Sequence, residues 1–101
     1  MLSKKDAAKG YAAVGAEPRL NVLRLLVAAG EEGMTISEIG NRLKMAPSTL
    51  AHHLRYLVSA NMVIQEKQGR EVVNTANYDF LEQLGNYLLH ECCKNAGNQL
   101  G

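Results

Sequence analysis

Residues 44–57 read KMAPSTLAHHLRYL, and this stretch decides how the sequence on either side of it is interpreted. Lys44-Met45-Ala46 predicts a tight turn, and Pro47 suits the first position of the helix that follows, where a missing backbone N–H costs nothing. From there apolar side chains recur at i, i+4, i+7 and i+8, the spacing of a helix face packed on a core: Leu50, Leu54, Leu57 and Val58. The stretch therefore predicts a turn followed by an amphipathic helix.

The outer side of this predicted helix carries polar groups in two neighbouring rows. The rows are Ser48, His52 and Arg55, and beside them Thr49, His53 and Tyr56. Hydroxyl, imidazole, guanidinium and phenol groups can all bond to base edges or to phosphate oxygens. The helix is therefore a candidate nucleic-acid contact, and the alternative is a solvated helix face without a partner.

Charge is distributed unevenly along the chain, although the formal net charge is only +1. Residues 42–70 contain five basic side chains and one acidic one, a local net charge of +4, and His52 and His53 lie in the same segment. The other 72 residues contain six basic and nine acidic side chains, a net charge of −3. A basic segment on an otherwise acidic body is typical of a face that binds nucleic acid.

Three helical segments are predicted before residue 44. An alanine-rich helix spans residues 4–14, and a second helix begins near Pro18 and ends at Gly30–Gly33. Its apolar residues, which include Leu20, Leu23 and Val27, have the spacing of a buried helix. A third helix opens at Ser37, a favourable N-cap residue.

After Asn61 the pattern changes from helical to extended. Residues 62–64 and 71–75 flank Lys67-Gln68-Gly69-Arg70, which predicts a hairpin with a basic tip. A final helix is expected over residues 78–94, and its apolar side consists of Leu81, Leu84, Leu88 and Cys92. The predicted fold class is therefore α+β and mostly helical: a winged helix-turn-helix with a two-stranded wing and flanking helices.

Length and composition exclude several classes of protein. With 101 residues, of which 47% are hydrophobic, the chain can form one compact core, so residues 1–101 are predicted to be a single domain. No run approaches the roughly 18 apolar residues of a membrane span, and the N-terminus has no apolar signal-peptide core. Adjacent Cys92 and Cys93 cannot build a disulfide framework, so we expect a cytoplasmic protein with no membrane partner.

Together these segments resemble the ArsR/SmtB family of winged-helix transcriptional repressors. The most specific match is residues 47–57, the recognition helix in that family, followed by Ala60-Asn61-Met62-Val63. Glu17-Pro18-Arg19-Leu20 and Ser37-Glu38-Ile39 match as well, and the likeness covers nearly the whole chain. One departure is Ala51, where the family commonly has serine, which removes one possible hydroxyl contact.

The resemblance implies a homodimer that binds double-stranded operator DNA and pairs through its first and last helices. The apolar side of the last helix supports this, because it is larger than one small core can cover. Base readers would be Ser48, Thr49, His52 and His53, while the residues that mostly position phosphates would be Arg55, Tyr56, Lys67 and Arg70. Ser37 and Pro47 complete the predicted DNA-binding set.

Members of this family are commonly released from DNA by metals, metalloids or thiol chemistry. The family's cysteine site before the recognition helix is absent, because residues 34–39 contain no thiol. The zinc-type site on the last helix could begin at Asp79, but Leu81 stands where a histidine is needed. Cys92 and Cys93 remain, and soft thiolates select soft ions such as trivalent arsenic or antimony. Arsenic-responsive members with such a pair typically add a third cysteine, which residues 94–101 lack.

Other interpretations stay open. The two cysteines can be small apolar residues that complete a packed helix, or sensors of oxidants or persulfides. No cofactor is required in any of these cases. An enzyme would pair His90 with Cys93 as base and nucleophile, but no third group orients the histidine, so a protein without catalytic activity is predicted. A winged helix used only for protein contact would not need the basic wing.

Overall fold

Five α-helices and a three-stranded antiparallel sheet make up residues 2–90, the part of the chain that the computed structural model describes. The helices are α1 (Lys4–Val14), α2 (Glu17–Ala29), α3 (Ile36–Leu43), α4 (Pro47–Ser59) and α5 (Tyr78–Leu89). The strands are β1 (Met34–Thr35), β2 (Val63–Gln68) and β3 (Glu71–Ala76), and a 3-10 turn at Gly30–Glu32 follows α2. Because α3 and α4 form a helix-turn-helix beside the β2–β3 hairpin, the predicted winged-helix fold class is confirmed.

The sheet has one more strand than the sequence predicts. Its order is β1-β3-β2, and β1 joins it through the pair Met34–Asn74. Asn74 is buried, its Nδ2 donates to the Met34 carbonyl at 3.1 Å, and its Oδ1 accepts from Gln65 Nε2 at 2.8 Å. One side chain therefore links all three strands, and a strand of two residues is too short to leave a periodic signal in the sequence.

The core is formed by buried side chains from all five helices and from the sheet. The predicted inner face of α4 is confirmed, since Leu50, Leu54 and Leu57 are buried and Val58 is half-buried. In α2 the prediction is partly wrong: Leu23 is buried as expected, together with Val22 and Leu26, but Leu20 and Val27 are 39% and 42% exposed. No helix within residues 2–90 has both the length and the apolar character needed to cross a membrane.

Two predicted helix ends need correction. The N-cap of α3 is Thr35 instead of Ser37: the Thr35 hydroxyl accepts from the Glu38 N–H at 3.2 Å, and the Glu38 carboxylate accepts from the Thr35 N–H at 2.8 Å. This reciprocal pair provides acceptors for two backbone N–H groups at the start of the helix, whereas a serine cap alone would provide one. The last helix ends at Leu89, not at residue 94, and residues 91–94 of the predicted segment, with Cys92 and Cys93, lie outside the described residues.

Candidate nucleic-acid interface

The position of α4 is set by the turn that precedes it. Lys44 ends α3 in the left-handed conformation, with φ 56°, and the Met45 N–H donates to the Gly40 carbonyl at 3.0 Å. A Cβ at Gly40 would lie 3.1 Å from the Met45 carbonyl oxygen, so this close approach favours glycine. Ala46 is then extended, and Pro47 begins the helix. The three-residue turn and the role of Pro47 are as the sequence predicts.

Five of the six polar side chains predicted on the outer rows of α4 are exposed. The first row is complete, with Ser48, His52 and Arg55 all facing solvent. In the second row Thr49 is exposed and Tyr56 is 38% exposed. These groups are therefore available to a ligand along the length of the helix, and their contact with DNA stays a prediction.

His53 is the exception, because its ring is half-buried. Its Nδ1 atom is buried and has no hydrogen-bond partner among residues 2–90. Burial lowers the pKa of His53 below its usual value, and the charges of Arg19 and His52 lower it further. The imidazole is therefore neutral at neutral pH. The Nδ1 edge of the ring faces the interior of the protein. A contact between His53 and a base could therefore involve only the opposite edge of the ring.

Arg19 of α2 makes contacts that no sequence pattern indicated. Its guanidinium carbon lies 4.0 Å from the centre of the Tyr56 ring, a cation–π contact with α4. Its Nε donates to the Ala13 carbonyl at 2.7 Å, and its Nη2 donates to the Ala12 carbonyl at 3.4 Å. Since α1 has no basic residue in its last turn, Arg19 supplies the positive charge that the end of a helix favours. We call this set of contacts the Arg19 clasp, and it joins α1 to the outer surface of α4.

The wing presents the two cations that the sequence placed at its tip. The strands pair as far as Gln68 and Glu71, so Gly69 and Arg70 form a two-residue turn, with φ 66° at Gly69. Glycine at the first central position suits the tight turns that match strand twist. Lys67 and Arg70 are exposed. Strand β2 packs against α4, so the wing is attached to the same helix that carries the exposed row.

The remaining predicted site residues lie apart from these rows or beyond the described chain. Ser37 is exposed in the first turn of α3, and Pro47 is exposed at the start of α4. Among residues 2–90, no group of three histidine, cysteine, aspartate or glutamate side chains is placed to hold a metal ion. Cys92 and Cys93 fall outside that range, so neither the thiol site nor the His90–Cys93 pair has a described geometry.

The sequence of this chain matches one protein-family profile. A profile described as "Helix-turn-helix domain" matches residues 16–66, about half of the chain. No curated protein matches the chain in sequence.

The fold is similar to those of several solved structures. An ArsR-like transcriptional regulator from Rhodococcus sp. is 27% identical, with a TM-score of 0.76 over 83% of this chain and 76% of that one. Reduced HlyU from Vibrio cholerae is 24% identical, with a TM-score of 0.69 over 88% and 90%. A homodimeric winged helix-turn-helix DNA-binding domain from Mycobacterium bovis, described as a possible ArsR-family transcriptional regulator, is 21% identical, with a TM-score of 0.70 over 84% and 77%. At these identities the last two are similar in fold alone.

Proposed function

This chain belongs to the family of helix-turn-helix domains, and we propose that it is a homodimeric transcriptional repressor of the ArsR/SmtB type that binds operator DNA. The observation that carries the proposal is the exposed row of Ser48, His52 and Arg55 on a helix whose opposite face is buried. A helix held in this way can enter the major groove and present its polar groups to base edges. The likeness to the Rhodococcus regulator supports the same function.

The polar side chains divide by chemistry into two roles. Ser48, Thr49 and His52 have short or flat side chains near the start and middle of α4, which suits contact with base edges. His53 would add one ring edge to that set. Long or charged groups suit phosphates, and these are Arg55 and Tyr56 on α4 with Lys67 and Arg70 on the wing.

Pairing of two copies is supported by the far end of α5. Leu88 and Leu89 are 69% and 65% exposed, a large apolar surface for one short helix. A second copy of the chain would cover these leucines, and the related domain from Mycobacterium bovis is described as homodimeric. Two-fold symmetry would then place the two copies of α4 about 34 Å apart, one turn of DNA.

Removing the wing cations tests DNA binding directly. We expect Lys67→Ala/Arg70→Ala to weaken binding to every duplex sequence, because phosphate contacts carry no sequence information. We also expect the plot of log K against log salt concentration to become less steep by about 0.9 for each phosphate that the variant no longer binds. Fluorescence anisotropy of a labelled duplex across a salt series measures both effects.

The control removes the same two charges elsewhere. Lys4→Ala/Arg24→Ala changes exposed residues of α1 and α2, so its salt slope should stay close to that of the wild type. An unchanged slope in the wing variant would refute the wing assignment. Absence of any duplex binding by the wild type at low salt would refute the repressor and leave a protein-contact module.

Release from DNA is proposed to depend on Cys92 and Cys93. Trivalent arsenic or antimony prefers three sulfur ligands, and the pair supplies two of them. A cellular thiol, a water-derived ligand or a cysteine of the second copy would supply the third. An ion bound by these cysteines can release DNA only if it prefers the arrangement of the two copies that binds DNA poorly.

Arsenite titration of the reduced protein on its own promoter DNA tests this release. We expect the anisotropy of the labelled DNA to fall as arsenite is added to the wild type, and to remain high for Cys92→Ser/Cys93→Ser. Zinc, titrated in parallel, is expected to have no such effect. Tight DNA binding that neither ion disturbs would eliminate the metalloid switch, and oxidants or persulfides would then be the next titrants.

A further inference from the structure

An open groove that contains two cations lies between α1 and α4, on the side of α4 that carries the exposed row. It has a volume of about 370 Å³. Its lining consists of one residue from α1 and four from α4: Lys9, His52, Arg55, Tyr56 and Ser59. The helix-turn-helix match begins only at residue 16, so Lys9 belongs to no part of the family motif.

The chemistry of the groove suits a phosphate group. Lys9 and Arg55 are exposed cations, and the guanidinium of arginine presents several N–H donors to phosphate oxygens while lysine adds a point charge. Tyr56 contributes a phenol hydroxyl. The Ser59 hydroxyl donates to the Tyr56 carbonyl at 3.0 Å, so it is occupied by its own helix and adds little.

The two walls of the groove are held at a fixed separation. Arg19 stacks on the Tyr56 ring while its N–H groups bond to the last carbonyls of α1. Two of its five N–H donors are therefore engaged with the protein, and its positive charge remains close to the groove. A site whose helices are already in place loses less conformational freedom on binding, which favours affinity.

We propose that this groove receives a phosphate of the DNA backbone, so that α1 contacts the duplex together with α4 and the wing. The inference rests on the proposed function, since His52 and Arg55 belong both to the groove and to the row that would face the DNA. A duplex read by that row must pass the mouth of the groove. Lys9 is then a phosphate-binding residue outside the helix-turn-helix.

Lys9→Gln tests the inference, because it removes one charge per protomer and keeps a long polar side chain. We expect it to weaken binding of the dimer by roughly tenfold, equally for operator and scrambled duplexes. The salt slope should become less steep by about 0.9 for each protomer. Thermal unfolding of the free protein is expected to be unchanged, since Lys9 is exposed.

Lys4→Gln is the matched control, with the same charge change on the same helix at an exposed residue that does not line the groove. Equal slopes for Lys9→Gln and Lys4→Gln, with normal wild-type binding, would overturn this inference and leave the proposed function intact. A wild type that binds no duplex at about 50 mM salt would overturn both. Titration with inorganic phosphate alone separates the sources: saturable binding that Lys9→Gln abolishes, with an unchanged DNA slope, would assign the groove to a small anion instead.

Discussion

A chain that carries both Ser48→Ala and His52→Ala is expected to lose its preference for operator over scrambled DNA while it keeps the weak affinity for any duplex. Each good contact to a base edge contributes about 1–3 kcal/mol of discrimination, so removing two from each protomer should cost about 2–6 kcal/mol in each half-site. Since about 1.4 kcal/mol corresponds to a factor of ten, we expect operator affinity to fall by a factor of at least roughly 30. Competition anisotropy with the two duplexes at one salt concentration measures the ratio.

His90→Ala supplies the control for this double variant, because it removes an exposed imidazole from a residue outside α4. Its operator preference should match that of the wild type. Thermal unfolding of both variants should also match, since the substituted side chains are exposed. If the double variant still prefers its operator, sequence must be read by other residues or through DNA shape, and the assignment of the exposed row to bases is wrong.

Gly33→Ala is expected to destabilise the fold more than any substitution on the DNA-facing side. Gly33 has φ 67° and ψ −168°, a region that essentially only glycine occupies. An added Cβ would also lie 2.5 Å from the Asn74 carbonyl oxygen, and 2.6–2.7 Å from side chains on either side of it. Backbone strain of about 1–3 kcal/mol and overpacking of about 1–3 kcal/mol should together lower the free energy of unfolding by about 2–6 kcal/mol.

Gly30→Ala separates these two costs. Gly30 has the same kind of backbone, φ 76° and ψ −161°, but nothing lies within 4 Å of an added Cβ. It should therefore show only the backbone strain of about 1–3 kcal/mol. Urea unfolding followed by circular dichroism, at one protein concentration so that dimerisation does not shift the result, measures both variants. Equal destabilisation would show that β3 moves aside and that the close approach at Gly33 is harmless.

Much of the fold could be predicted because its decisive signals are local. The turn at Lys44–Ala46, the helix start at Pro47 and the glycine at the wing tip each follow from the backbone preferences of one or two residues. The buried face of α4 follows from side-chain spacing. The misplaced N-cap of α3 has the same origin, since Thr35 and Ser37 are both good caps and only the bond to Glu38 decides between them.

The unpredicted features depend on neighbours that are distant in sequence. Burial of the Asn74 amide is offset by its hydrogen bond to the Met34 carbonyl, 40 residues earlier. The partial burial of His53 depends on the helices packed against α4. Lys9 approaches α4 only through the packing of α1, and no periodic pattern could indicate that. A proline followed by arginine near the start of α2 was visible in the sequence, but nothing local says that this arginine reaches back to Ala13.

The Arg19 clasp has a mechanical consequence for a dimer that pairs through α1 and α5. Two hydrogen bonds and a ring contact join α1 to α4, so we expect a rotation of α1 to move α4 with it. Each protomer would then rotate as a rigid body about the pairing helices, and this rotation would move the α4 helix that faces the DNA. An inducer that rotates the protomers changes the distance between the two copies of α4. Because the helical pitch of the operator is fixed, the two helices no longer fit successive major grooves, and no part of the protein has to unfold.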